Sequence, residues 1–322
     1  MDITLKLKLL MSMKLIRQVE ETIAQKYSEN KMRCPTHLCS GQELVPACFG
    51  DLLKRQDYVV STHRAHGHYL SKGGNLNNMI AELYGKETGC SGGFGGSMHL
   101  IDLDVNFMGS TAIVGNSIPI GAGLGLSSVL DKKKNITCIY LGDAATEEGI
   151  FYEVINICIL KKLPIIFVCE NNLYSVYSPL KVRQPKNRSI IKMLKGMGIR
   201  SKSINNKKIH QTYQIIKNEI LNVRKGKGPV FLEFFNYRYR EHCGPNYDNN
   251  IGYRTKKEFN YWKNKDPIDI LQKEILRTDS NLEQEILKIE KKINKQIFKA
   301  FSFAEKSIFP NPKNNYKKIF AK

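Results

Sequence analysis

The stretch from residue 135 to residue 172 constrains the fold more than any other part of this 322-residue sequence. It begins with the apolar run NITCIYLGD, continues through TEEGIFYEVINICILKKL and ends with a second apolar run, PIIFVCENN. The middle segment starts with Thr146 and acidic residues and ends with lysines, which is the charge order that a helix dipole favours. Strand, helix and strand with short connections predict a βαβ unit, and hence two parallel strands buried on both faces.

Other segments add helices and a strand to this unit. The glycine-rich stretch from residue 89 to residue 99 predicts a loop that either wraps closely around another group or moves freely. Residues 118–130 predict a helix with a small-residue face that packs tightly on the sheet. Further helices are expected over 1–30, within 31–50, and over 77–84, 209–225 and 282–306, and a further strand over 228–240. We therefore expect an α/β fold with a parallel sheet flanked by helices.

Polar residues follow both strands of the βαβ unit. Ligands of parallel α/β sheets bind beyond the carboxyl ends of the strands, and one crossover brings Asp143 and Asn172 side by side there. A carboxylate, an amide oxygen and the nearby main-chain oxygen of Tyr174 form a hard oxygen set that suits Mg²⁺. A helix N-terminus expected at 145–147 adds N–H donors for phosphate. Gly-Asp alone is also typical of a turn and Asn-Asn of a loop, so the prediction of a Mg²⁺-diphosphate site depends on the pair.

The bulk composition excludes few classes of protein. The formal net charge of +20 invites a nucleic-acid-binding interpretation, but no recognised nucleic-acid-binding motif accompanies the lysines, and a solvated basic surface is the favoured reading. No run of about eighteen apolar residues predicts a membrane span. The eight cysteines form no C-x-x-C pair, and several lie in apolar runs. This usage, with a first segment that is not a signal peptide, is typical of a cytoplasmic protein.

Several motifs in order resemble one enzyme family. GDAATEEG followed by CENN is similar to the thiamine-diphosphate signature, which begins Gly-Asp-Gly and ends Asn-Asn. Further segments match the α chain of pyruvate and branched-chain 2-oxo acid dehydrogenases and of acetoin dehydrogenase: HLCSGQE, HRAHGHYLSKGG, GGFGGSMH, AIVGNSIPIGAG, KGPVFLEFFNYRYR and GYRTKKEF. The likeness covers roughly residues 10–275 and implies a thiamine-diphosphate-binding fold.

The resemblance implies a role for individual residues. Asp143 and Asn172 would bind Mg²⁺ through their side chains, and Tyr174 through its main-chain oxygen. Arg64 and Arg238 would hold the diphosphate, since guanidinium groups make charge-assisted pairs with phosphate oxygens. His37 and His242 would stand on the substrate side as catalytic residues that stabilise negative charge on the keto oxygen. The remaining cofactor-lining positions are His63, Val114, Ala144 and Ala145, together with His242.

Three positions depart from the family pattern. Ala144 stands where the signature has glycine, which costs little in helical backbone but would be strained at a positive φ. His63 stands where relatives often have tyrosine, which places one phosphate hydrogen bond in doubt. Cys243 occupies a loop position that carries a regulatory serine in the animal pyruvate enzymes, so that phosphorylation switch is expected to be absent.

The family's chemistry implies partners. A 2-oxo acid would be oxidatively decarboxylated and its acyl group transferred to a lipoyl-bearing acyltransferase. The glutamate that activates the cofactor comes from a separate β subunit in this family, so we expect an assembly of two α and two β subunits. The division that follows is an N-terminal helical arm (1–30), a thiamine-diphosphate-binding domain (31–275), and a C-terminal helix with a basic tail (276–322).

Other functions stay open from the sequence alone. Acetoin cleavage, or a carboligation in a sugar or surface-polymer pathway, would use the same cofactor. A basic nucleic-acid-binding protein on an α/β scaffold is a remote alternative. A dinucleotide-binding reductase is disfavoured, because GAGLGL lacks the last glycine of the fingerprint and lies in a predicted helix rather than after a strand.

Overall fold

The computed structural model describes residues 1–32, 34–205 and 208–313. Its main sheet has six parallel strands in the order β2-β1-β3-β4-β8-β7, and the short strands β5 and β6 form a separate antiparallel pair. The strands are β1 (Tyr58–Ser61), β2 (Phe107–Ser110), β3 (Thr137–Gly142), β4 (Ile165–Asn171), β5 (Tyr174–Ser175), β6 (Ser178–Pro179), β7 (Arg200–Asn205) and β8 (Val230–Phe235). The predicted βαβ unit is confirmed at the centre of the sheet, where β3 pairs in parallel with β4.

Helices cover both faces of the sheet, as predicted. They are α1 (Ile3–Lys26), α2 (Leu44–Leu52), α3 (His66–Ser71), α4 (Leu76–Leu83), α5 (Ser117–Leu130), α6 (Gly149–Leu160), α7 (Leu180–Arg183), α8 (Ile190–Gly196), α9 (Ile209–Arg224), α10 (Lys256–Lys263), α11 (Pro267–Thr278) and α12 (Glu283–Lys306). Successive side chains of the central strands point to opposite faces. Cys138 and Tyr140 join the core beneath α1, α2, α9, α11 and α12, whereas Ile139 and Leu141 join the core beneath α5, α6 and α8.

The small-residue face of α5 packs directly on the sheet. A methyl group placed on Gly121 would lie 2.4 Å from Ile139, and one on Gly125 would lie 2.8 Å from Ile165. Both separations are too short for a real side-chain carbon, so only glycine allows the helix to approach the strands this closely. The tight packing predicted for residues 118–130 is therefore confirmed.

The structure corrects the start of the helix after β3. We expected that helix to begin at residue 146, but Asp143–Glu147 forms a 3₁₀ turn and α6 begins at Gly149. The extended backbone of Glu148 (φ −76°, ψ 141°) separates the two. Thr146 does not cap α6, because its hydroxyl donates to the carbonyl oxygen of Asp143 (2.7 Å) and closes the preceding turn.

The strand expected over 228–240 is also shorter than predicted. β8 ends at Phe235, and Asn236 still donates its main-chain N–H to Asn171 of the neighbouring strand (3.1 Å). Three residues later, Tyr239 donates instead to the carbonyl oxygen of Ser40 (2.9 Å). The chain therefore leaves the sheet at this point because its hydrogen-bond partners change from β4 to the loop before α2.

The glycine-rich segment wraps around a buried carboxylate. Both oxygens of Glu82, which is fully buried, accept main-chain N–H groups from this segment at 2.6–3.1 Å. The donors are Ser91, Gly93, Gly95 and Gly96. Of the two interpretations of the glycine-rich run, the structure selects the closely wrapped loop, and the wrapped group is a side chain of the protein itself.

The terminal helices pack on the same core as the sheet. Leu9 and Leu10 of α1 and Phe301 of α12 belong to one cluster with the central strands, and the division into arm, domain and tail stays a prediction. Residues 314–322, the end of the basic tail, lie outside the described residues. Among the helices that the structure describes, none is both long and apolar enough to cross a membrane.

Candidate active site

A cavity of about 180 Å³ opens at the carboxyl edge of β3 and β4. Asp143 follows β3 and Asn172 follows β4, and the last residue pair in register between these strands is Gly142 with Glu170. Most of the residues predicted for the site line this cavity. They are His37, His63, Arg64, Val114, Asp143, Ala144, Ala145, Asn172, Tyr174 and His242. Arg238 does not line it, but its guanidinium is close enough to lower the pKa of Arg64.

One end of the cavity carries the predicted metal ligands. Asp143 is 2% exposed, and this burial raises the pKa of its carboxyl group. Asn172 accepts the main-chain N–H of Tyr174 through its side-chain oxygen (3.2 Å) and donates to Gln42 (3.4 Å). The backbone between them turns sharply, because Leu173 has a positive φ of 74°. The turn holds the Asn172 amide beside the start of β5.

Sequence reasoning missed the residue that pairs with Asp143. Arg183, at the end of α7, forms an ion pair with the Asp143 carboxylate and a second one with Glu147 (2.5 Å). Gln184 also donates to Glu147 (2.8 Å). Arg183 is one of the basic residues for which a solvated surface is the favoured interpretation, and no local pattern marks it, since its partner is 40 residues away. Its charge compensates the buried carboxylate in this conformation.

Ala144 fits the position where the signature has glycine. It lies within the 3₁₀ turn that follows β3, and it is not among the residues with positive φ. A methyl group is therefore tolerated without backbone strain. The departure from the family signature at this position does not disturb the local geometry.

Two buried guanidinium groups lie near the other end. Arg64 donates to the carbonyl oxygens of Leu38 (2.5 Å) and His242 (3.1 Å), and burial together with Arg238 lowers its pKa to about 9. Arg238 donates to the carbonyl oxygen of Val176 (3.2 Å) and to the hydroxyl of Tyr253 (2.9 Å), while its Nη1 is buried without a partner in residues 1–32, 34–205 and 208–313. Neither arginine forms an ion pair with a carboxylate of the described residues.

Three histidine rings meet beside these arginines. The ring centroids of His37 and His63 are 4.8 Å apart, those of His37 and His242 are 4.9 Å apart, and those of His63 and His242 are 5.3 Å apart. Burial and the neighbouring positive charges lower the pKa of His37 to about 2, and those of His63 and His242 to about 3. All three rings are therefore neutral near pH 7.

The histidines that follow His63 in sequence have structural partners. His66 lies 2.6 Å from the Glu20 carboxylate and 2.9 Å from the Ser97 hydroxyl. His68 contacts the Glu170 carboxylate (2.9 Å) and stacks on Tyr140 with centroids 3.6 Å apart. Of the three histidines in the HRAHGH motif, only the first, His63, belongs to the cluster at the cavity. The other two members of the cluster, His37 and His242, come from distant loops.

Comparisons with known proteins agree on the family. The family model described as "Dehydrogenase E1 component" matches residues 11–313. The pyruvate dehydrogenase E1 component subunit alpha of Rickettsia bellii is 33% identical over 308 residues, which cover 96% of this chain and 93% of that protein. The protein of the same name from Porphyra purpurea is 36% identical over 267 residues, which cover 81% of this chain and 76% of that protein.

A solved structure agrees on the fold. The transketolase of Campylobacter jejuni superposes with a TM-score of 0.55 at 16% identity over 89% of this chain. The matched region spans half of the transketolase chain, and the likeness concerns the fold alone. The predicted thiamine-diphosphate-binding fold is confirmed. Because the family model covers nearly the whole sequence, this chain belongs to the dehydrogenase E1 component family of thiamine-diphosphate-dependent 2-oxo acid dehydrogenases.

Proposed function

We propose that this chain is the α subunit of a cytoplasmic pyruvate dehydrogenase that decarboxylates its substrate oxidatively and transfers the acetyl group to a lipoyl carrier. One observation carries the proposal. Asp143 and Asn172 follow adjacent parallel strands and line one cavity with Arg64 and the three histidines. The named relatives of Rickettsia bellii and Porphyra purpurea support pyruvate as the substrate.

The charges around the cavity suit a magnesium diphosphate. Arg64 and Arg238 are buried cations without a carboxylate partner in the part of the chain that the structure describes, and the unpartnered Nη1 of Arg238 is a donor that a phosphate oxygen would satisfy. Asp143, Asn172 and the main-chain oxygen of Tyr174 supply the oxygen ligands that Mg²⁺ prefers. Arg183 holds one oxygen of Asp143, so Mg²⁺ would compete with it for the carboxylate, and Glu147 is placed to retain the arginine.

The histidines suit the other half of the reaction. When bound, thiamine diphosphate supplies the nucleophilic carbon that attacks a keto group. His37 and His242 are neutral, so each can donate one N–H to a keto oxygen on which negative charge develops. His63 contacts the rings of both His37 and His242 and feels the charges of Arg64 and Arg238, so it is placed to orient the substrate carboxylate or a phosphate oxygen. These roles need no change in the ionisation of the histidines at neutral pH.

Exposed apolar side chains at the cavity edge and on two neighbouring helices favour a partner chain. Ile113 and Val114 at the cavity edge are 65% and 49% exposed. On the adjacent helices α5 and α6, Leu130 and Leu160 at the helix ends are 72% and 73% exposed, and Ile120 adds a further exposed apolar side chain. Exposed apolar patches on a folded protein mark interaction sites. We infer that the β subunit covers these side chains, supplies the activating glutamate, and completes an assembly of two α and two β subunits.

The test is decarboxylation by the assembled enzyme. The chain is co-purified with its β partner and assayed with pyruvate, Mg²⁺, thiamine diphosphate and ferricyanide as electron acceptor. We expect turnover that disappears in Asp143→Asn and persists in Asp131→Asn, a control because Asp131 is exposed and its side chain pairs with Lys133 and Ser127 on the surface. Turnover unchanged in Asp143→Asn would contradict the metal role. Cofactor binding without pyruvate turnover would contradict pyruvate as the substrate.

A further inference from the structure

Three histidines from three separate segments share one end of the cavity. One potential ligand atom of each of His37, His63 and His242 lies within 4.8 Å of the others. His37 is 6% exposed, and its buried Nδ1 has no hydrogen-bond partner among the described residues. A buried polar atom without a partner is costly, so a site of this kind is completed by a ligand.

The three side chains are of a type that suits a metal ion. Imidazole is the commonest metal ligand in proteins, and each of the three rings places one potential ligand atom in the same small region. Three histidines with an open fourth position form a donor set that Zn²⁺ uses in proteins. Nitrogen ligands of a tetrahedral zinc lie roughly 3.4 Å apart, so modest ring rotations would bring the observed cluster together.

Neighbouring charges decide what kind of metal complex fits. Arg64 and Arg238 oppose a bare dication, whereas the carboxylate of Glu170, which lines the same cavity and acts on Arg64, offsets part of this repulsion. An anion in the fourth position would reduce the net charge further. Arg64 contacts Nδ1 of His242 only at 3.4 Å and keeps the carbonyl oxygens of Leu38 and His242 if that contact is lost.

We propose that His37, His63 and His242 bind a transition-metal ion such as Zn²⁺, with an anion as the fourth ligand, at a site separate from the magnesium ligands. A metal ion held there occupies the substrate side of the cavity and inhibits turnover. The inhibition rests on the proposed function, whereas the binding does not.

Metal binding is tested without turnover. The metal-free complex of this chain with its β partner is titrated with Co²⁺, whose visible absorption reports four-coordinate nitrogen ligation, and then with Zn²⁺ as competitor. We expect one ion for each α chain, affinity at least about tenfold weaker in His63→Phe, and a Co²⁺ spectrum that changes when azide is added. His210→Gln is the matched control, because His210 is exposed, contacts the N-terminus and lies outside the cavity lining.

Two results of the titration would contradict the proposed metal site. Unchanged affinity in His63→Phe, or loss of binding in Cys243→Ser with the histidines intact, would overturn the proposal, since Cys243 is an exposed thiol beside His242. If His63→Phe does not fold, X-ray absorption at the zinc edge of the unmodified complex counts the imidazole ligands directly, and fewer than three would overturn it. Inhibition is measured separately: one equivalent of Zn²⁺ should stop pyruvate decarboxylation, and a chelator should restore it. Bound zinc without inhibition would overturn only the regulatory role.

Discussion

The two ends of the cavity suit ligand groups of opposite charge. At the oxygen end, the buried carboxylate of Asp143 is already neutralised by Arg183 from the same chain. At the histidine end, Arg64 and Arg238 are buried without a carboxylate partner among the described residues, and the three nearby imidazoles are neutral. At the oxygen end, a metal ion can replace the Arg183 cation beside Asp143. The histidine end has positive charge that no carboxylate of the described residues balances. A molecule with a metal-bound diphosphate would satisfy both.

The largest expected effect is at the oxygen end. Leucine is similar in size to asparagine but has no amide oxygen. Replacement of Asn172 by leucine therefore leaves the predicted Mg²⁺ with one ligand fewer. We expect the assembled enzyme to lose detectable pyruvate turnover and to bind thiamine diphosphate about 100-fold more weakly, measured by quenching of protein fluorescence. Asn187→Leu, a change in a surface loop, is the control. Retained cofactor affinity in Asn172→Leu would place the metal elsewhere.

At the histidine end, we expect loss of turnover without loss of the cofactor. His242→Gln and His37→Gln each remove a neutral N–H donor from the substrate side. The loss of one such donor lowers kcat by about 100-fold in comparable sites. The dissociation constant of thiamine diphosphate should stay within about threefold of the original. If kcat fell and the dissociation constant of thiamine diphosphate rose together, the two ends would not be separable in function.

The histidine end should also make the protein sensitive to acid. The pKa of His37 is about 2 in the folded protein, below its usual value near 6.5. Between these two pH values the unfolded chain binds a proton at His37 that the folded chain does not bind. Stability is therefore lost as the pH falls from 6.5 towards 4.5. His37→Gln should reduce this loss by about 1–2 kcal/mol, measured by urea unfolding at both pH values. Parallel pH profiles for the two proteins would contradict a buried neutral His37.

The smallest expected effect concerns the exchange of cations. Arg183→Gln removes the positive charge that competes with Mg²⁺ for Asp143, so the Mg²⁺ concentration needed for cofactor binding should fall by about tenfold. Lys181→Gln, an exposed neighbour on the same short helix, should leave it unchanged. A weaker response to Mg²⁺ in Arg183→Gln would mean that the arginine supports the ligand geometry of Asp143 rather than competing for it.

Much of the fold follows from local pattern. The run of apolar residues that ends in Gly-Asp, the charged helix and the second run that ends in Asn-Asn predict the central βαβ unit, and the structure confirms β3 and β4 as parallel neighbours. The predicted start of α6 and the predicted end of β8 are wrong, because each boundary depends on contacts that the local sequence pattern does not contain. Thr146 turns back to Asp143, and Tyr239 changes its partner to Ser40.

The sequence by itself determined the fold class, the motifs and the family, because alternation of apolar and polar residues and short motifs with fixed spacing are local properties of the chain. Tertiary structure decided which side chains meet. Arg183 is drawn to Asp143 because a buried carboxylate needs a compensating charge. His63 joins His37 and His242, while His66 and His68 turn to buried carboxylates. These pairings depend on burial and on loops distant in sequence, which become neighbours only when the sheet and its helices have packed.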